Sequence, residues 1–140
     1  MDNSKQILSW TDQAIIQWTE KGIKLQEGIL IDNLHDFEKS LDFTFPQDFI
    51  ELYTKVNGFE NFDYNENMFS LWSLDRILKE YKEDGDTNYV SFCDFLINSH
   101  SLGFYKDDGR IYKYYNEPEA IADNFQDFIL LLNSNDDLLY

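Results

Sequence analysis

A chain of 140 residues is the size of one domain, and it can bury a core without a disulfide or a metal staple. Its 43% hydrophobic and 17% aromatic content excludes a disordered chain. Eleven basic residues against 27 acidic ones give a formal charge of −16, which excludes a phosphate-binding surface for nucleic acid or for an anionic membrane.

In chain order, residues around 4–25 place Ile7, Ala14, Ile15, Trp18 and Leu25 close to one stripe and predict an amphipathic helix that Gly22 can end early. Gln26-Glu27-Gly28 reads as a break. Asp32 is placed to cap a short helix carrying Leu34, Phe37, Glu38 and Leu41. Leu41, Phe43 and Phe45 then lead into a loop, and Pro46 opens the next helix, where its missing N–H goes unneeded. Asp48 falls in the first turn, at the positive end of the helix dipole. Phe49, Leu52, Tyr53 and Val56 share a face, and Asn57-Gly58 is read as the stop.

Glu60 to Asn67 is an acidic, Asn-rich loop that includes Phe62 and Tyr64. Met68 to Trp72 predicts a short strand. Ser73 can cap a helix whose apolar face is Leu74, Ile77, Leu78 and Tyr81, with a turn over residues 83–88. Strands follow at Tyr89 to Leu96, Leu102 to Tyr105 and Arg110 to Tyr114. Lys106-Asp107-Asp108-Gly109 is the hairpin signal between the last two. Ile121 to Leu132 reads as a closing helix, followed by a frayed tail in which Leu138 and Leu139 can dock. Helices, then strands, then a helix predict a single α+β domain over residues 1–140, with a mainly antiparallel sheet flanked by helices.

The segment Leu34–Phe59, with Glu38, Phe45-Pro46, Asp48, the apolar helix face and Asn57-Gly58, resembles the signature of the SUKH superfamily, the Smi/Knr-like domains. The resemblance continues through Phe69-Ser70-Leu71-Trp72-Ser73-Leu74, through Phe92-Cys93-Asp94-Phe95-Leu96-Ile97 with Ser99, through Gly109-Arg110-Ile111-Tyr112, and through Ile121-Ala122 to Phe128-Ile129. It covers about residues 30–132 and leaves out the first 25. It implies a non-enzymatic bacterial immunity protein that binds and neutralises a polymorphic toxin. A regulatory scaffold of the Smi/Knr-like type is the alternative that the same resemblance allows.

The residues argue for no cofactor and no metal site. His35 and His100 lack a ligand partner at helical spacing, and no nucleophile elbow or phosphate-binding glycine loop is present. Asp84-Gly85-Asp86-Thr87-Asn88 starts like a calcium loop, but Tyr89 and Phe95 stand where its glycine and glutamate belong. The lone Cys93 can form no intramolecular disulfide and reads as a small buried apolar residue. The start of the chain has no basic segment followed by an apolar run, and no stretch is long and apolar enough to span a bilayer, so the expected compartment is the cytoplasm.

What remains is acid interleaved with aromatics. One cluster is Phe62, Asp63, Tyr64 and Glu66. The other is Tyr105, Asp107, Asp108, Tyr112, Tyr114 and Tyr115. Tyrosine is enriched in binding hot spots because it brings contact area at low entropic cost. Alternation puts Tyr112 and Tyr114 on one strand face, Ile111 and Lys113 on the other, and one of the two faces belongs to the core. Trp72 divides in the same way between core and site. The expected partner is a basic toxin domain of the nuclease type. The charge favours such a partner through long-range attraction, although acidity also serves solubility alone.

Overall fold

The computed structural model describes residues 8–61 and 63–140. The expectation for Ile7 and the start of its helix, and that for Phe62, lie outside the described residues.

The chain runs α1 (Trp10–Glu20), β1 (Leu25–Glu27), α2 (Ile31–Leu41), α3 (Gln47–Tyr53), β2 (Val56–Phe59), β3 (Phe69–Leu71), α4 (Leu74–Asp84), β4 (Tyr89–Phe95), β5 (His100–Tyr105), β6 (Ile111–Tyr114), β7 (Pro118–Ala122), α5 (Phe125–Ser134) and a closing 3-10 turn (Asp137–Leu139). β1 and β2 form a small antiparallel pair. The main sheet is a five-stranded antiparallel meander in the order β3-β4-β5-β6-β7, with α4 inserted after its first strand. The fold is α+β, as the order of elements predicts.

Phenylalanines make the core. Phe49 stacks on Phe45 and on Tyr53, each at 4.1 Å between ring centroids. It meets Phe92, Phe104 and Phe125 edge-on. Phe128 closes on Phe92 at 5.1 Å. All of these rings except Phe45, at 2%, are fully buried. α3 and α5 thus cover one side of the main sheet, called the inner face below. α1 packs on α5, with the Trp18 indole N–H donating to the Asn133 side chain at 2.7 Å.

Polar side chains of the central segment hold the connections. A Glu38 carboxylate oxygen accepts the Phe45 N–H at 2.6 Å, which folds the loop back onto α2. One Asp48 oxygen accepts the Phe49 N–H at 2.9 Å, and the other accepts Gln126 N–H, also at 2.9 Å. Asp48 therefore serves the first turn of α5 as well as its own helix, and it ties the two core helices together where both dipoles favour a carboxylate.

Several boundaries differ from expectation. The first described helix is shorter than residues 4–25 and ends at Glu20. Gly22, at φ +79°, turns the chain into β1 where a break was expected. Polar residues hide this strand, because its pairing with β2 rests on backbone bonds. α2 starts at Ile31 with Leu30 as its cap, so Asp32 sits inside the first turn rather than capping it. α3 ends at Tyr53, and Val56-Asn57-Gly58 belongs to β2. Gly58 is required there for two reasons. Its φ is +74°, and a Cβ would meet the Trp72 carbonyl carbon at 2.5 Å. Ile121 and Ala122 lie in β7, not in the closing helix, which starts at Phe125 behind its Asn124 cap. The tail is ordered: Leu139 is fully buried, although Leu138 remains exposed.

Candidate partner-binding surface

β6 decides the orientation of the sheet. Ile111 is fully buried, so Tyr112 and Tyr114 point to the opposite, outer face. Tyr89 pairs with Tyr105 across β4 and β5, while Tyr112 and Tyr114 pair with Gly103 and Ser101 across β5 and β6. The four rings form a chain of contacts: Tyr114 to Tyr89 at 5.5 Å, Tyr89 to Tyr105 at 5.1 Å, and Tyr105 to Tyr112 at 4.7 Å. Such pairs add stability beyond the area they bury. Tyr89 is the floor of the cluster, 5% exposed, with its hydroxyl 2.9 Å from Ser101 Oγ. Burial pushes its phenol far above the ordinary range, and that of Tyr105 upward as well. Tyr105, Tyr112 and Tyr114 are half-buried, and Tyr115 is 66% exposed.

Acids rim this face. In the β5–β6 hairpin, Gly109 takes the positive φ of 68° that the turn demands. Asp107 accepts a hydrogen bond from the Asn88 side chain at 3.0 Å, and Asp108 accepts one from the Tyr112 hydroxyl. Desolvation alone would raise the Asp108 carboxyl. The bonds from Tyr112 and from the Arg110 N–H outweigh it and hold the carboxyl below its usual range. That same bond pushes the Tyr112 phenol up. Along the other side, Glu80 and Asp84 of α4 approach Tyr89 and Tyr114. They lie four residues apart, hence on one helical face.

Trp72 does not belong to the accessible surface. It is 3% exposed. Its indole N–H donates to the fully buried Asp94 at 2.6 Å, and the Arg76 guanidinium lies over its ring at 4.4 Å and 3.6 Å from Asp94. The other Asp94 oxygen accepts the Asn98 N–H at 2.9 Å. That bond braces the β4–β5 turn, in which Leu96, Ile97 and Asn98 all have positive φ. Left-handed backbone costs roughly 1–2 kcal/mol per residue outside glycine, so the carboxylate holds a conformation the turn would not keep alone.

Asp63, Tyr64 and Glu66 lie apart from the tyrosines, on the loop beside the β3 edge. Asp63 accepts the Lys24 N–H at 2.7 Å and the Tyr64 N–H at 3.1 Å, which binds the loop to the chain before β1. Glu66 pairs with Lys21. The structure therefore gathers Tyr105, Asp107, Asp108, Tyr112, Tyr114 and Tyr115 at one face and leaves the other acidic loop engaged elsewhere. Sequence reasoning singled out neither Tyr89 nor Glu80 for this face, and it weighed Asp84 only as the start of a calcium-like loop. The alternation of Tyr89 with Val90 on a strand was the available signal for the first, and the four-residue spacing on α4 for the others.

Among the described residues, no group of three or more His, Cys, Asp or Glu is placed to hold a metal ion, and no helix is long and apolar enough to cross a membrane. With α3 and α5 on one face of an antiparallel meander and tyrosines and acids on the other, the chain is an α+β domain. The family model for the SMI1 / KNR4 family (SUKH-1) matches residues 28–131, well over half of the chain, and the protein belongs to that family. No curated protein matches the chain.

Proposed function

We propose that this protein is a bacterial immunity protein, which binds a cognate polymorphic toxin and neutralises it in the cytoplasm by stoichiometric occlusion, without turnover. The toxin is a basic domain of the nuclease type. The observation that carries this reading is the outer face itself: four tyrosines in ring contact, half-buried except for the buried Tyr89, with Asp107 and Asp108 at one end. Family membership and the −16 charge support it.

The carboxylates take the positions that substrate phosphates occupy near the toxin's basic cleft. Opposite charge speeds the encounter, and the tyrosines supply the short-range energy that slows release. Tyr105, Asp107, Asp108, Tyr112, Tyr114 and Tyr115 form the principal contact. Asp63, Tyr64 and Glu66 form a secondary one on the separate loop beside the β3 edge. Trp72 supports the surface from beneath.

Co-expression with the toxin encoded next to this gene tests the reading. Cells survive, a one-to-one complex is isolated, and nuclease activity falls in proportion to the amount of protein added. Cell death with folded, abundant protein and no complex in vitro transfers the reading to a regulatory scaffold.

A further inference from the structure

The outer face contains a recess of about 410 Å³ between β4, β5, β6 and α4. Tyr89, Tyr114 and Tyr115 provide aromatic walls, Ser101 lies among them, and Glu80 and Asp84 stand opposite. No lysine or arginine lines it. Arg76, one helical turn before Glu80, is engaged over the ring of Trp72, which also lines the recess, and against Asp94. Glu80 and Asp84 take part in none of the ion pairs among the described residues. His100 also lines the recess, and burial favours its neutral imidazole.

A concave site with aromatic walls, two carboxylates outside any ion pair and no lysine or arginine of its own selects a cation. The negative faces of phenol rings attract one, and the carboxylates compensate its lost hydration. The volume suits a single long side chain rather than a peptide segment. Guanidinium fits better than ammonium, because it is planar, stacks on rings, sheds its hydration more readily and bonds carboxylates in a fork.

We propose that this recess receives one arginine side chain of the basic partner. The identity of that partner rests on the immunity reading above, whereas the chemistry of the recess does not. It makes the recess the specific anchor within a surface that is otherwise held by general charge attraction.

The test uses N-acetyl-arginine amide as probe and its uncharged isostere N-acetyl-citrulline amide as control, in an amide NMR titration of the full chain. The arginine probe produces saturable shifts at Tyr89, Ser101 and Tyr114, and the citrulline probe does not. The double variant Glu80→Gln/Asp84→Asn weakens binding by roughly tenfold or more, and Tyr115→Ala, at an exposed position, weakens it separately. Both variants keep the wild-type melting temperature. Shifts that rise linearly and spread over all acidic patches, or that survive the double variant, overturn the proposal. Saturation of the recess by the arginine probe without binding of the toxin leaves the recess standing and removes the immunity reading. A toxin neutralised equally well by the double variant does the reverse.

Discussion

The Trp72 indole N–H donates to the Asp94 carboxylate at 2.6 Å, between residues 22 apart in the chain. The carboxylate is fully buried, so each of its partners matters more than an exposed one would. Trp72→Phe keeps the ring and removes the donor, and it should cost on the order of 1–3 kcal/mol in urea denaturation. Asp94→Ala also strips the β4–β5 turn of its brace and leaves Arg76 uncompensated, for about 3–5 kcal/mol. An unchanged urea midpoint in Trp72→Phe would show that this bond contributes nothing.

Phe49 and Phe125 meet at 4.9 Å in the centre of the core. Truncating either to alanine should destabilise the protein by roughly 3–5 kcal/mol, since both the transferred area and a residual cavity count. Their rings touch, so the double variant should fall short of the sum. Wild-type melting of both single variants would contradict the packing described above.

Binding to the proposed basic toxin should separate into two kinetic classes. Neutralising Asp107 and Asp108 together should slow association and flatten its dependence on salt, with little change in the dissociation rate. Tyr114→Ala or Tyr112→Ala should instead speed dissociation, by the equivalent of about 2 kcal/mol where the ring is an anchor. Surface plasmon resonance at several salt concentrations distinguishes the two. Equal effects of both kinds of variant on both rates would contradict this division.

Acidification should weaken the fold through His100. Burial lowers its pKa below 6.5, and its ring nitrogen lies 2.9 Å from the Leu139 carbonyl. The native state therefore binds fewer protons than the unfolded chain in the window just beneath 6.5. Stability is fully present above that window and falls as pH descends through it. Denaturation of wild type and His100→Gln across the window should show a shallower pH slope in the variant. Parallel curves would exclude His100 as the source.

Helices were legible wherever capping and periodicity agreed. Ser73 accepts the Arg76 N–H at 3.3 Å, and α4 presents Leu74 and Ile77 to the core as their spacing implies. β7 was not legible, because Ile121 and Ala122 precede Phe125 at spacings that suit a helix as well as a strand. Periodicity cannot place a change of element inside a continuous apolar band. Gly58 carries both signs of a helix stop, and only the approach of the Trp72 backbone reveals its other use. The outer tyrosines were half legible: alternation paired Tyr112 with Tyr114, and the burial of Ile111 settled which pair faces solvent. The engagement of Asp63 with the Lys24 N–H depends on chain folding across 39 residues, which no local pattern encodes.

The packing of α3 and α5 on one side of the main sheet separates the residues that hold the chain together from the tyrosines on the other side. Phe92, Phe104 and Ile111 belong to the core, whereas Tyr112 and Tyr114, which pair with Gly103 and Ser101, are half-buried on the other face. Exchanges at solvent-facing positions away from special features usually change stability by less than about 0.5 kcal/mol. Mutation can therefore redraw exposed outward-facing residues one by one while the scaffold persists, which is what the proposed immunity role would demand against a toxin that also changes.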